Sequence, residues 1–168
     1  RTKACLPMTM PFLIVETGQP VDSMRRHGSF AHWIRVAAGL QRDEAVVVDV
    51  QHGAALPHRE GFAGTIVTGS AAMVTERHGW SERSAGWLRE AAHAGMPLLG
   101  ICYGHQLIAH ALGGDVGDNP SGREMGTVCL DLAAPAQSDP LFGGLPARFP
   151  AQATHLQTVL RLPDGATV

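Results

Sequence analysis

A cysteine stands between two glycines in the stretch Gly100-Ile101-Cys102-Tyr103-Gly104-His105-Gln106. The apolar pair Leu98-Leu99 precedes it, and Leu107-Ile108-Ala109-His110-Ala111-Leu112 follows with the look of a helix. A nucleophile on a sharp turn from strand to helix has a strained backbone, and bulky residues two positions away on either side would clash. Gly100 and Gly104 remove that clash. The turn raises the sulfur above the strand end and places it at the start of the next helix, whose positive dipole end favours the nucleophilic thiolate. The Tyr103 N–H is then one donor for an oxyanion. A second comes from the turn Thr68-Gly69-Ser70, where Gly69 lets the backbone approach closely. Residues of these types point to attack on an acyl carbon through a covalent thioester. Cys5 and Cys129 have no comparable setting.

Such a thiol needs a general base. His155 is the only histidine after the Cys102 helix, and Gln157, not an acid, stands two residues beyond it. His58-Arg59-Glu60 has His-x-Glu spacing but reads as a solvated loop between Pro57 and Gly61. His105 reads as a locally packed residue on the new helix. The other histidines show no metal-ligand spacing, so neither a metal nor another cofactor is expected.

The elements that must hold these residues follow from the apolar pattern. Residues 12–15 form a short continuous apolar run, which reads as a buried strand. A polar loop is expected through Gly28, then a helix over 30–38 that Gly39 ends. Further strands are expected at 45–50, 65–68 and 97–101, with helices at 81–94 and 103–112 between and after them. Gly95 with Pro97, and Gly113-Gly114, close those helices. A half-buried strand is expected at 127–132, and short strand-like pieces at 149–154 and 158–162 in a tail rich in Pro and Gly. Strands alternating with helices imply an α/β fold with a doubly wound, mostly parallel sheet and helices on both faces, with ligands at the carboxyl ends of the strands.

The chain has 168 residues, 45% of them hydrophobic, and a formal net charge of −2. That length suits one domain, expected over 10–168 with 1–9 as an N-terminal extension. The charge makes no case for nucleic acid or membrane lipid, and no apolar run approaches spanning length. Pro7 and Pro11 interrupt the apolar start, and no small-residue cleavage site follows, so a signal peptide is not expected. Three widely spaced cysteines are not a disulfide framework and fit a reducing, cytoplasmic compartment.

Five segments, in order, resemble the class I (triad) glutamine amidotransferases, in particular stand-alone members similar to the glutaminase domain of GMP synthetase. They are Thr68-Gly69-Ser70, residues 98–107 around Cys102, Ala111-Leu112-Gly113-Gly114, Gly122-Arg123-Glu124-Met125-Gly126 and Thr154-His155-Leu156-Gln157. The resemblance implies a flavodoxin-like fold in which Cys102 attacks the side-chain amide of L-glutamine. Ammonia would leave for a synthetase domain or subunit, and water would release glutamate from the thioester. Gly69 and Tyr103 would supply the oxyanion N–H groups, with Ser70, Gln106, His155 and Leu156 beside the substrate. The family's base belongs to a His-Pro-Glu-like motif beyond the segment matching His155, and no His-Pro-Glu occurs in the chain. The base and its acid are therefore expected outside these residues. The C-terminus reads as truncated, and the chain as given is expected to turn over poorly. Two further readings share the scaffold: a γ-glutamyl peptide hydrolase and a catalytically silent binding module.

Overall fold

A computed structural model describes residues 10–168; the extension expected at 1–9 lies outside the described residues. Four parallel strands form the central sheet: β1 (Phe12–Glu16), β2 (Ala45–Asp49), β3 (Gly64–Val67) and β4 (Leu98–Gly100). Their order is β2-β1-β3-β4, which puts β1 and β3 in the centre. Leu13, Ile14, Val15 and Val67 are fully buried. β2 lies at an edge, where Val46 and Val47 remain exposed despite their β-branched character.

Side chains alternate across a strand, so β1 serves two faces. Leu13 and Val15 join Val67, Leu88, Tyr103, Leu107 and Ala111 in one apolar cluster, which packs α3 (Gly79–His93) and α4 (Tyr103–Ala111) against the sheet. On the opposite face lies α2 (Phe30–Ala37), with Ser29 capping its first turn. The buried Glu16 carboxylate accepts the Ala31 N–H at 3.0 Å and ties α2 to the end of β1. A carboxylate at a helix N-terminus is favourable twice, through the unpaired N–H groups and through the dipole. Helices thus cover both faces, as the alternation of elements implies.

Several details differ from the sequence reading. The polar loop before Gly28 contains one helical turn, α1 (Asp22–Arg25), in which Arg25 pairs with Asp22 and donates to the Pro20 carbonyl. Such a turn rests on local polar contacts and carries no apolar period. Helix α3 begins at Gly79, two residues before the expected start. β5 (Asp115–Asp118) is a strand that the sequence does not announce, because Asp-Val-Gly-Asp holds a single large apolar residue. It forms by antiparallel pairing with β8 (Gln157–Arg161), where the Arg161 Nε reaches the Asp115 carboxylate at 2.7 Å. β6 (Glu124–Asp131) and β7 (Arg148–His155) form a second antiparallel ribbon, longer than the pieces expected there. Neither ribbon joins the central sheet.

Candidate active site

The carboxyl ends of β1, β3 and β4 meet at Cys102. Thr17 and Thr68, both fully buried, lock the first two ends together. The Thr17 N–H donates to the Thr68 Oγ1 at 2.9 Å, and the Thr17 hydroxyl donates to the Thr68 carbonyl at 2.8 Å. β4 joins them through the Ile101 N–H, which donates to the Val67 carbonyl at 3.0 Å. The close approach expected at Gly69 belongs to a neighbour. A Cβ on Gly18 would stand 2.7 Å from the Ser70 Cα, whereas one on Gly69 would meet the Cys102 Cβ at an ordinary 3.5 Å.

Cys102 has φ 53° and ψ −112°. Arg77 is the only other described non-glycine residue with positive φ, and it sits in the ordinary left-handed basin at φ 52°, ψ 39°. Cys102 lies outside that basin, in a region that costs about 1–3 kcal/mol and persists only where the surroundings enforce it. The enforcement is steric. A Cβ on Gly104 would run into the Val67 backbone, and a Cβ on Gly100 would run into the first turn of α4. Tyr103, fully buried, anchors that turn: its hydroxyl bonds the Ser81 Oγ at 2.6 Å, and its ring packs 5.6 Å from Trp80. Burial raises the Tyr103 phenol to a pKa of about 12, so the ring is a neutral anchor. Among the described residues, neither the Tyr103 N–H nor the Gly69 N–H has a backbone partner.

Cys102 opens onto a cavity of about 610 Å³, whose wall includes all seven site residues read from the sequence: Cys102, Gly69, Tyr103, Ser70, Gln106, His155 and Leu156. Their surroundings refine the expectation. The Cys102 thiol lies 3.7 Å from the Thr154 carbonyl, so the end of β7 forms one side of the nucleophile's niche. Gln106 is buried, and its amide donates to the Gln157 carbonyl at 2.6 Å. It ties α4 to the start of β8, and that donor is already engaged. His155 does have an acid, although not two residues along the chain. Glu124 faces it across the β6–β7 ladder, with 3.0 Å between the His155 Nε2 and the carboxylate. His105 keeps an exposed edge, yet desolvation of the ring holds its pKa below the usual histidine range.

Sequence reasoning missed another part of the lining. Val21, Phe30, Trp33 and Ile34 line the cavity together with Gln19, Met73 and Arg123. The apolar spacing of 30–38 marks a helix, but it does not say which part of the apolar stripe faces the core and which a cleft. His58 is not part of the cavity; beside it, Arg59 pairs with Glu60 and Glu90. Among the described residues, no group of three His, Cys, Asp or Glu side chains could hold a metal, and no helix is long and apolar enough to cross a membrane.

A model of the family "Glutamine amidotransferase class-I" matches residues 16–168. The chain is 39% identical over 105 residues to a glutamine-hydrolyzing GMP synthase of Thermomicrobium roseum, covering 62% of this chain and 18% of that one. It is 31% identical over 143 residues to one subunit of the glutamine-hydrolyzing GMP synthase of Halobacterium salinarum, covering 84% of this chain and 70% of the relative. Among solved structures, a glutamine amidotransferase from Thermotoga maritima superposes with a TM-score of 0.74 at 19% identity, over 94% of this chain and 65% of that one. The chain thus spans under a fifth of the length of the Thermomicrobium synthase, and a little under two thirds of the Thermotoga protein.

Proposed function

Because the chain belongs to the class-I glutamine amidotransferase family, we propose that it binds L-glutamine and cleaves the side-chain amide with Cys102 as nucleophile. The Cys102 sulfur attacks the carboxamide carbon, and the negative charge on the oxygen is met by the Gly69 and Tyr103 N–H groups. The carbon–nitrogen bond breaks, ammonia leaves with the thiol proton, and a γ-glutamyl thioester remains. Water then releases glutamate and restores the thiol. Ser70, His155 and Leu156 lie along the bound amino acid, and Gln106 holds the β8 side of the cavity in place. The steps use only side chains, backbone N–H groups and water. A reducing, cytoplasmic setting keeps Cys102 free for them.

One observation supports this reading above the others: the strained Cys102 backbone between two glycines that have no room for a side chain, opening onto a cavity. A structural cysteine would not need that conformation. The Halobacterium relative is named as one subunit of a synthase, which suggests the fate of the ammonia. We propose that it passes to a synthetase domain or partner subunit rather than to solvent.

The test is glutamate release from glutamine by the wild-type protein and by Cys102→Ala. The variant should lose at least about a hundredfold in kcat, since a covalent route is removed. Equal and measurable turnover by the two proteins would refute the assignment.

A further inference from the structure

We propose that the cavity accepts γ-glutamyl amides whose amide nitrogen carries an apolar aryl or alkyl group, with that group lying against Val21, Phe30, Trp33 and Ile34. The inference rests on Cys102 acting as the nucleophile. Free glutamine fills only part of this open cleft. The cavity of about 610 Å³ falls within the range of roughly 300–1,000 Å³ typical of clefts for considerably larger ligands. Ammonia, as a leaving group, needs no subsite at all.

The distribution of polarity decides which end of the substrate meets which wall. Ser70 after β3, Gln106 on α4, Arg123 just before β6 and His155 at the end of β7 line the cavity with polar groups. The segment 21–34 contributes only apolar side chains to it. The α-ammonium and α-carboxylate of a γ-glutamyl compound are costly to place against hydrocarbon and belong on the polar side. With the γ-carbonyl at Cys102, the other end of the molecule, the amide nitrogen and its substituent, extends toward the apolar wall.

That wall is built rather than incidental. Glu16 fixes the first turn of α2 through the Ala31 N–H. The Trp33 indole N–H donates to the His27 carbonyl at 2.7 Å, so its polar edge is satisfied. Phe30 meets the Trp33 ring edge to face, with centroids 5.6 Å apart. Gly28, at φ 106°, turns the chain tightly over His32, where a Cβ would stand 2.5 Å from the ring. Two aromatic rings held in this way suit a flat apolar group. Among the described residues, the segment 21–34 brings no cationic side chain to the cavity, whose one arginine is Arg123, so an uncharged amine suits this segment better than an amino acid, whose carboxylate would compete for Arg123.

In the reaction, the Cys102 sulfur bonds to the γ-carbon, the carbon–nitrogen bond breaks, and the amine departs carrying the thiol proton. Water then supplies the oxygen of glutamate and returns a proton to the sulfur. The experiment compares kcat/KM of the protein for γ-glutamyl phenethylamide, γ-glutamyl methylamide, γ-glutamylphenylalanine and Nα-benzoylglutamine. In parallel, a diazoketone analogue of glutamine reports whether Cys102 is reactive. The phenethylamide should exceed the methylamide by at least about tenfold, and γ-glutamylphenylalanine should fall between them. Trp33→Ala should bring the phenethylamide-to-methylamide ratio close to one, and Trp33→Phe should keep most of it. Val21 is 70% exposed, so Val21→Asp tests the wall without depending on core packing and should also lower the ratio. A ratio of one or less with Cys102 still labelled would overturn the subsite and leave the nucleophile standing. A gain confined to Nα-benzoylglutamine would assign the wall to the α-end and overturn the proposal. Absence of both labelling and cleavage would remove the nucleophile and the subsite together.

Discussion

The elbow around Cys102 and the two C-terminal ribbons hold adjoining parts of one cavity by different means. At the elbow, backbone packs on backbone. Gly100 and Gly104 leave no space, Thr17 and Thr68 are sealed from water, and the strained Cys102 has nowhere to relax. The ribbons place Thr154 and His155 by strand pairing and Leu156 between β7 and β8, with much of their surface exposed and with ion pairs at their margins. Precision at the nucleophile thus comes from excluded volume, whereas the substrate side depends on pairing register. The first tolerates almost no change, and the second should tolerate a good deal.

The sharpest way to break this contrast is to repeat one substitution in both regions. Gly104→Ala forces a methyl group into the Val67 backbone, and should cost about 3 kcal/mol of unfolding free energy or prevent folding, as overpacking does. Gly144, after β6, has no atom within 4 Å of an added Cβ. Gly144→Ala should change stability by less than about 0.5 kcal/mol. Denaturant titrations of the two variants measure the difference; equal losses would mean that the elbow is not sterically enforced. Next in size is Thr68→Val, which strips the Thr17 N–H of its acceptor in a sealed site. It should cost about 1–3 kcal/mol and slow Cys102 chemistry, because the β1 and β3 ends are no longer pinned.

The smallest effect belongs to the ribbons. The hydrogen bond from Arg161 holds the Asp115 carboxyl below its ordinary pKa. A carboxylate with a depressed folded pKa contributes stability above its unfolded value, near pH ~4, and loses it as pH falls through the depressed value. Arg161→Gln should flatten the thermal-melting profile across that acid window by removing a small stabilisation at neutral pH, where exposed pairs contribute little, and leave the profile below the window unchanged. A large loss at neutral pH would show that the ribbons carry more of the fold than their exposure suggests.

The same contrast explains what can be read from the residues alone. The elbow is written within five consecutive positions, because the clash that Gly100 and Gly104 avoid is local to the turn. The parallel strands and their helices are legible for a similar reason, since each carries its own apolar period. The pairing of Glu124 with His155 depends on antiparallel register between β6 and β7, and the Gln106 contact to Gln157 joins residues 51 apart. No local period encodes either. β5 is illegible because its partner strand, not its own composition, makes it a strand. The wall at Phe30 and Trp33 is legible as helix but not as cleft, because an apolar stripe looks the same whether it meets a core or a ligand.

The central claim is that the strained Cys102 is a nucleophile for a glutamine-like carboxamide. Treatment of the folded protein with a diazoketone analogue of glutamine, followed by peptide mass mapping, tests it most directly. The account predicts a single adduct on Cys102, none on the exposed Cys129, and protection by excess glutamine. An unmodified Cys102, or modification of Cys129 instead, would contradict it.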